Sequence, residues 1–195
     1  MQSMTNRLLL AVLLCAGCAP AATGGASEDS VVKTAAAAPS GPGLDLSGKR
    51  GTPLQSFQLK DVRGVPYRVS KHLGKDVIMI SFWATWCGPC KQELAAMSPV
   101  YDELAGQGFA YLAISTDGPE TLSEVRSYVG SYGYAFPVLL DSKSTVLDKF
   151  HPTGTLPFYL LVNRNGEIVE QHQGFSTGDE TKLRAKVLSL LGEGS

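Results

Sequence analysis

Cys87 and Cys90 lie two residues apart in the stretch WATWCGPC, residues 83–90. Thiols at that spacing suit three chemistries: a covalent staple, part of a metal clip, or a dithiol that passes electrons. A closed structural zinc site wants four ligands, and this pair supplies two. A bridge between the pair closes a very short loop, so it restrains the unfolded chain little and makes a weak staple. Electron transfer asks for one thiol that ionises near neutral pH and a second within reach to resolve a mixed disulfide.

The elements around the pair favour the third chemistry. The apolar run VIMISFWA, residues 77–84, reads as a strand covered on both faces. After the cysteines, Leu94, Met97, Tyr101 and Leu104 recur at the spacing of an amphipathic helix. Pro99 lies inside that helix and is expected to kink it or loosen its preceding turn. Cys87 then ends a strand and Cys90 starts a helix. Free N–H groups and the positive end of the helix dipole stabilise a thiolate at such a place. That arrangement makes Cys87 the attacking thiol, exposed, and Cys90 the resolving one, with Gly88 and Pro89 permitting the tight turn between them.

The remaining segments alternate in type. Residues 56–70 form a hairpin around Asp61 to Gly64, and 108–116 is a second buried strand. A helix follows over 118–133, with Pro119 at its start and Leu122, Val125 and Val129 as its apolar stripe. Residues 136–141 read as a strand and 144–150 as a short helix. Asn165-Gly166 sits between two apolar runs over 158–174, a strong hairpin signal, and 181–192 closes as a helix with Leu183, Val187, Leu190 and Leu191 inward. This order predicts an α/β fold, a mixed central sheet with helices on its faces and an antiparallel hairpin ending the sheet.

The amino-terminal third has another character. Leu8 to Ala16 is an apolar run after a single Arg, too short to cross a bilayer, and residues 1–18 read as an export signal. Its end, CAGC, resembles a bacterial lipobox with Cys18 as the lipidated residue, although Cys15 stands where Leu is usual. The alternative is a plain secretory signal cut a few residues later, near CAPAA. Either cut leaves Cys87 and Cys90 as the only thiols of the mature domain, of the four in the chain. Residues 19–43, rich in Ala, Gly, Ser and Pro, read as a flexible tether spanning roughly 25–30 Å. The folded domain is then 44–195. A net charge of −1 gives no basic excess to draw nucleic acid or anionic lipid.

FWATWCGPC resembles the active site of thioredoxin, and the order of elements over residues 50–192 resembles the TlpA/ResA-type thioredoxin-like proteins of the bacterial envelope. Residues 112–141 are similar to the helix and strand that those proteins add in the middle of the thioredoxin-like fold. The resemblance implies an envelope thiol:disulfide oxidoreductase acting on disulfides of exported clients, possible clients including apocytochrome c. It implies a membrane electron donor and no cofactor beyond the Cys87–Cys90 disulfide itself; the lipobox-like end adds a lipid anchor in the periplasm-facing envelope, and the oligomeric state is left open with a monomer expected. It implies a cis proline at Pro157 that holds Leu156 for an extended client. Trp86, Gly88 and Pro89 complete the client-facing rim, while Trp83 belongs to the core. Glu93 matches the acid such reductants keep beside the dithiol. It is either a proton-transfer group for Cys90 or a solvated helix residue beside Lys91. Thioredoxin has a buried Asp six residues before its first cysteine, where this chain has Ser81.

Two other functions are weighed. Related folds bind copper through two cysteines and a histidine, which would require His151 to join Cys87 and Cys90. Their cysteines are usually three residues apart, whereas the gap here is two. A peroxidase site resembles T-x-x-C, and Thr85-Trp86-Cys87 is one residue short of it. His72, His151 and His172 are not spaced as ligands and are expected at the surface.

Overall fold

The computed structural model describes residues 51–193. The expected signal, tether and lipidated Cys18 lie outside the described residues. An eight-stranded mixed sheet runs in the order β1-β8-β7-β4-β5-β6-β2-β3. Its centre is the parallel set β4 (Val77–Trp83), β5 (Phe109–Ser115) and β6 (Val138–Leu140). Every residue of β4 and β5 is buried, as unbroken apolar runs require when both sheet faces are covered.

Antiparallel strands flank this centre. On one side β7 (Phe158–Val162) pairs with β4, and β8 (Glu167–Gln173) pairs with β7. Their hairpin turns through Asn163–Gly166, where Gly166 has a φ of 80°, a conformation that favours glycine. On the other side, the hairpin β2 (Gln58–Asp61) and β3 (Pro66–Arg68) joins β6 through β2. Asp61 Oδ1 fixes that turn by accepting from the N–H groups of Arg63 and Val65 at 2.9 and 2.8 Å. The β7–β8 hairpin does not end the sheet, as the sequence led us to expect. The two-residue strand β1 (Thr52–Pro53) caps β8, and its proline suits an edge position.

The two faces are covered unequally. One carries the helices α1 (Gly88–Leu104), α2 (Leu122–Tyr132) and α4 (Asp179–Gly192), whose Leu94, Met97, Val125, Leu183 and Val187 pack with Met79, Trp83 and Tyr111. The other is closed by α3 (Leu147–Phe150), a 3-10 turn at Val69–Lys71 and the segment around Leu54. Of the expected stripe on α2, Val125 is fully buried, while Leu122 and Val129 are half-buried.

Helix α1 runs through Pro99 without a break. Pro99 and Ala95, whose carbonyl loses its helical partner, are both exposed, so water can satisfy that carbonyl while Leu94, Met97 and Leu104 pin the other side. His172 is exposed as expected, whereas His72 and His151 are half-buried. His72 is held between Tyr67 Oη (2.8 Å) and Asp76 Oδ2 (2.6 Å), and the His151 ring stacks on Phe158.

Candidate active site

Strand β4 stops at Trp83, and Cys87 is the cap residue of α1, so the helix begins at Gly88, two residues earlier than the sequence suggested. Cys87 has extended backbone angles, φ −87° and ψ 101°, with Pro89 in the first turn, where its missing N–H costs no helical bond. The backbone N–H of Cys90 donates to Cys87 Sγ at 3.2 Å. This is the hydrogen bond a capping serine or aspartate would accept, made here by sulfur. Negative charge on that sulfur is therefore stabilised by a directed amide and by the helix dipole.

Cys87 and Cys90 form a disulfide, with Cα atoms 5.3 Å apart. Neither cysteine is freely exposed. Cys87 is 5% accessible and Cys90 1%, which corrects the expectation of an open attacking sulfur. The capping geometry explains the difference, because it turns Sγ toward the amides of the first turn. Trp86, Gly88 and Pro89 are exposed around the pair, Trp86 to 74%. Trp83 is fully buried, its ring 5.4 Å from that of Tyr128.

The Leu156–Pro157 peptide bond is cis. Phe158 pairs with Phe82, so Pro157 precedes β7 at the same end of the sheet where β4 delivers the cysteine loop. Pro157 is buried and Leu156 half-buried. Crevices beyond the carboxyl ends of parallel strands are where α/β sheets place their ligands.

Glu93 is fully buried, so it is not the solvated helix residue that one reading of the sequence expected. Its Oε1 accepts from the Tyr111 hydroxyl at 3.3 Å, while Oε2 has no hydrogen-bond partner. Burial pushes its carboxyl up to about 7, opposed in part by the Ser81 and Tyr111 hydroxyls. Ser81 Oγ itself lacks a partner at hydrogen-bonding geometry, so it acts on Glu93 as a nearby dipole. Tyr111 is held well above the ordinary tyrosine range, by burial first and then by Glu93, so it remains a donor.

A second acid was missed in the sequence. Asp117, 2% exposed, follows β5 and reaches back to the cysteine loop. Its carboxylate accepts from Thr85 N (3.0 Å to Oδ2), from the Thr85 hydroxyl and from the Ser115 hydroxyl at 2.9 Å. The signal was modest: an acid in STDGP, just past a buried strand that neighbours the cysteine strand.

Among the described residues no group of three or more His, Cys, Asp and Glu is arranged to hold a metal ion, so Cys87, Cys90 and His151 are not brought together as a copper site. The His151 ring instead lies 4.3 Å from that of Phe158, with Nε2 bonded to Thr153. The Thr85 hydroxyl is committed to Asp117 rather than turned to the cysteines as a peroxidase threonine.

Comparison with known proteins agrees with this geometry. The AhpC/TSA family profile matches residues 50–171. The thiol-disulfide oxidoreductase ResA of Geobacillus kaustophilus is 32% identical over 130 residues, 67% of this chain and 72% of that protein. ResA of Bacillus subtilis is 35% identical over 127 residues, covering 65% and 69%. Among solved structures, a thiol:disulfide interchange protein of the thioredoxin family from Chlorobium tepidum superposes with a TM-score of 0.64 at 25% identity, over 74% of this chain and 99% of its own. A thioredoxin-like fold, a capped Cys87–Cys90 disulfide and these relatives lead to one assignment: the chain belongs to the AhpC/TSA family and, within it, to the ResA-type thiol-disulfide oxidoreductases.

Proposed function

We propose that the protein reduces disulfides of exported client proteins outside the cytoplasm, with Cys87 as nucleophile, Cys90 as resolving thiol and Glu93 as the proton carrier. The observation that carries this reading is the Cys90 N–H directed at Cys87 Sγ from the first turn of α1. In the reduced protein the Cys87 thiolate attacks one sulfur of the client disulfide. A mixed disulfide forms and the first client thiolate leaves. Cys90 then loses its proton and attacks Cys87 Sγ, which releases the second client thiolate. Two electrons have passed to the client, and the Cys87–Cys90 disulfide remains.

Glu93 suits the proton of the second step. It lies one turn beyond Cys90 on the inward side of α1, and a carboxyl near 7 is divided between acid and base at neutral pH. The exposed Trp86, Gly88 and Pro89, with Leu156 before the cis Pro157, form the rim against which an extended client chain lies. Regeneration needs a dithiol donor, which we assign to a membrane electron carrier. Lipid on Cys18 and the tether over 19–43 hold the domain near that carrier. Apocytochrome c is one client with suitable chemistry.

Single substitutions test the roles. In the full chain, Cys90→Ser should accumulate mixed disulfides with clients, to be identified by mass spectrometry. Cys87→Ser should neither trap clients nor reduce insulin. Insulin reduction by Cys87→Ser would reverse the assignment of nucleophile.

A further inference from the structure

The loop that carries the dithiol is hydrogen-bonded both to the residues that follow β5 and within itself. Trp83 O accepts from Thr116 N at 2.9 Å, and Ala84 O accepts from Cys87 N at 3.1 Å. Between these, Thr85 gives both its N–H and its hydroxyl to Asp117. Asp117 N in turn donates to Ser115 Oγ at 3.1 Å, and Thr121 Oγ1 reaches Oδ1 at 3.5 Å. The donors come from the cysteine loop, the end of β5 and the start of the segment leading into α2. Strand register makes the junction possible, since Trp83 lies opposite Ser115 and the two chains leave the sheet side by side.

Such a cluster is more than the loop needs to stay folded. A backbone carbonyl would satisfy Thr85 N, and a buried charge is costly unless several donors surround it. What the carboxylate adds is direction. It fixes Thr85 by both of its donors, and the next residue is Trp86, the most exposed large apolar side chain among the described residues. Cys87 N bonds to Ala84 O, which shares its peptide group with Thr85 N, and Cys87 Sγ has a separate anchor in the amide of Cys90. The sulfur thus has one fixing of its own, the Cys90 amide, while Asp117 holds the Thr85 side of the loop and with it the ring that follows.

We propose that Asp117 is a positioning residue for polypeptide substrates: by holding Thr85 it sets the direction in which Trp86 meets an incoming protein chain, leaving the sulfur's own reactivity to other contacts. This rests on the reading of Cys87 as nucleophile and Trp86 as part of the client-facing rim. It makes Asp117 a determinant of preference for protein disulfides over small ones.

The test compares two substrates, insulin and a small aromatic disulfide such as 5,5′-dithiobis(2-nitrobenzoate), with the reduced full chain. Asp117→Asn should lower kcat/KM for insulin about tenfold, as small misplacements of a contact group do, while attack on the small disulfide stays within about twofold of wild type. Thr85→Val, which loses one donor and no charge, should show the same selective loss by a smaller factor, and Thr85→Ser should restore it. If Asp117→Asn does not fold, the Thr85 pair decides the matter. Equal losses on both substrates, faster attack on both through removal of the negative charge, or wild-type kinetics with only a lowered melting temperature would each overturn the proposal. Cys87→Ser separates this from the underlying reading: its inactivity alongside a wild-type Asp117→Asn refutes the positioning role alone, whereas its activity refutes the nucleophile.

Discussion

Two buried carboxylates flank the dithiol, and they are treated in opposite ways. Asp117 is surrounded by donors, with Thr85 N, the Thr85 hydroxyl and the Ser115 hydroxyl on its two oxygens. Glu93 has one long bond from Tyr111 and a bare Oε2. A satisfied buried anion rigidifies what it binds, while a starved one is easily protonated. The contrast teaches how one dithiol can have beside it both a carboxylate that serves as a fixed scaffold and one that, on the proposed reading, moves a proton.

The comparison breaks first under stability measurements. Asp117→Leu leaves three donors without their acceptor, the Ser115 hydroxyl fully buried and the two of Thr85 half-buried, and should cost about 3 kcal/mol in urea unfolding at pH 7. Glu93→Leu should lower stability far less, or raise it, because it removes a carboxyl that burial already penalises. Equal losses in the two variants would erase the distinction.

Catalysis gives the next contrast. Glu93→Gln should slow resolution of the mixed disulfide by about 100-fold near pH 7, the usual scale of a positioned proton carrier, while initial attack by Cys87 stays near wild type. Rapid-quench separation of the two steps reads this directly. The pH dependence of stability sharpens it further. The Glu93 carboxyl goes from 4.5 in the unfolded chain to about 7 when folded. The neutral acid is therefore favoured in the fold, and its contribution is complete below pH 4.5 and lost as pH rises to 7. Across that window wild type should lose on the order of 3 kcal/mol relative to Glu93→Gln, then run parallel above it. The smallest effect is that of Tyr111→Phe. Loss of its hydroxyl removes one stabiliser of the Glu93 anion and should shift the optimum of resolution to higher pH, at a cost of about 1 kcal/mol in stability.

The sequence reveals these two acids to different degrees. Glu93 follows Cys90 by three residues and precedes Met97 by four, spacings that put it on the side of α1 where Met97 packs. Its neighbour Lys91, half-buried on another side of the helix, made solvation look equally reasonable. The role of Asp117 depends on contacts with Thr85, 32 residues earlier, and on the register of β4 against β5, which a local pattern does not contain. The long central strands, α1 and the Asn165-Gly166 hairpin were readable because their periodicity or turn chemistry is local. Strand β1 was not: two residues, one of them proline, carry no period, and only pairing with Ile168 and Glu167 makes them a strand.

The most direct measurement is the rate of alkylation of reduced Cys87 against pH, with Cys90 replaced by Ser so that only one active-site thiol titrates. With the amide of residue 90 aimed at the sulfur, reactivity should reach its midpoint at least about one pH unit below that of free cysteine, near 8.5. A midpoint at 8.5 or higher would contradict the account, because the capping geometry would then confer no acidity on the thiol it was taken to activate.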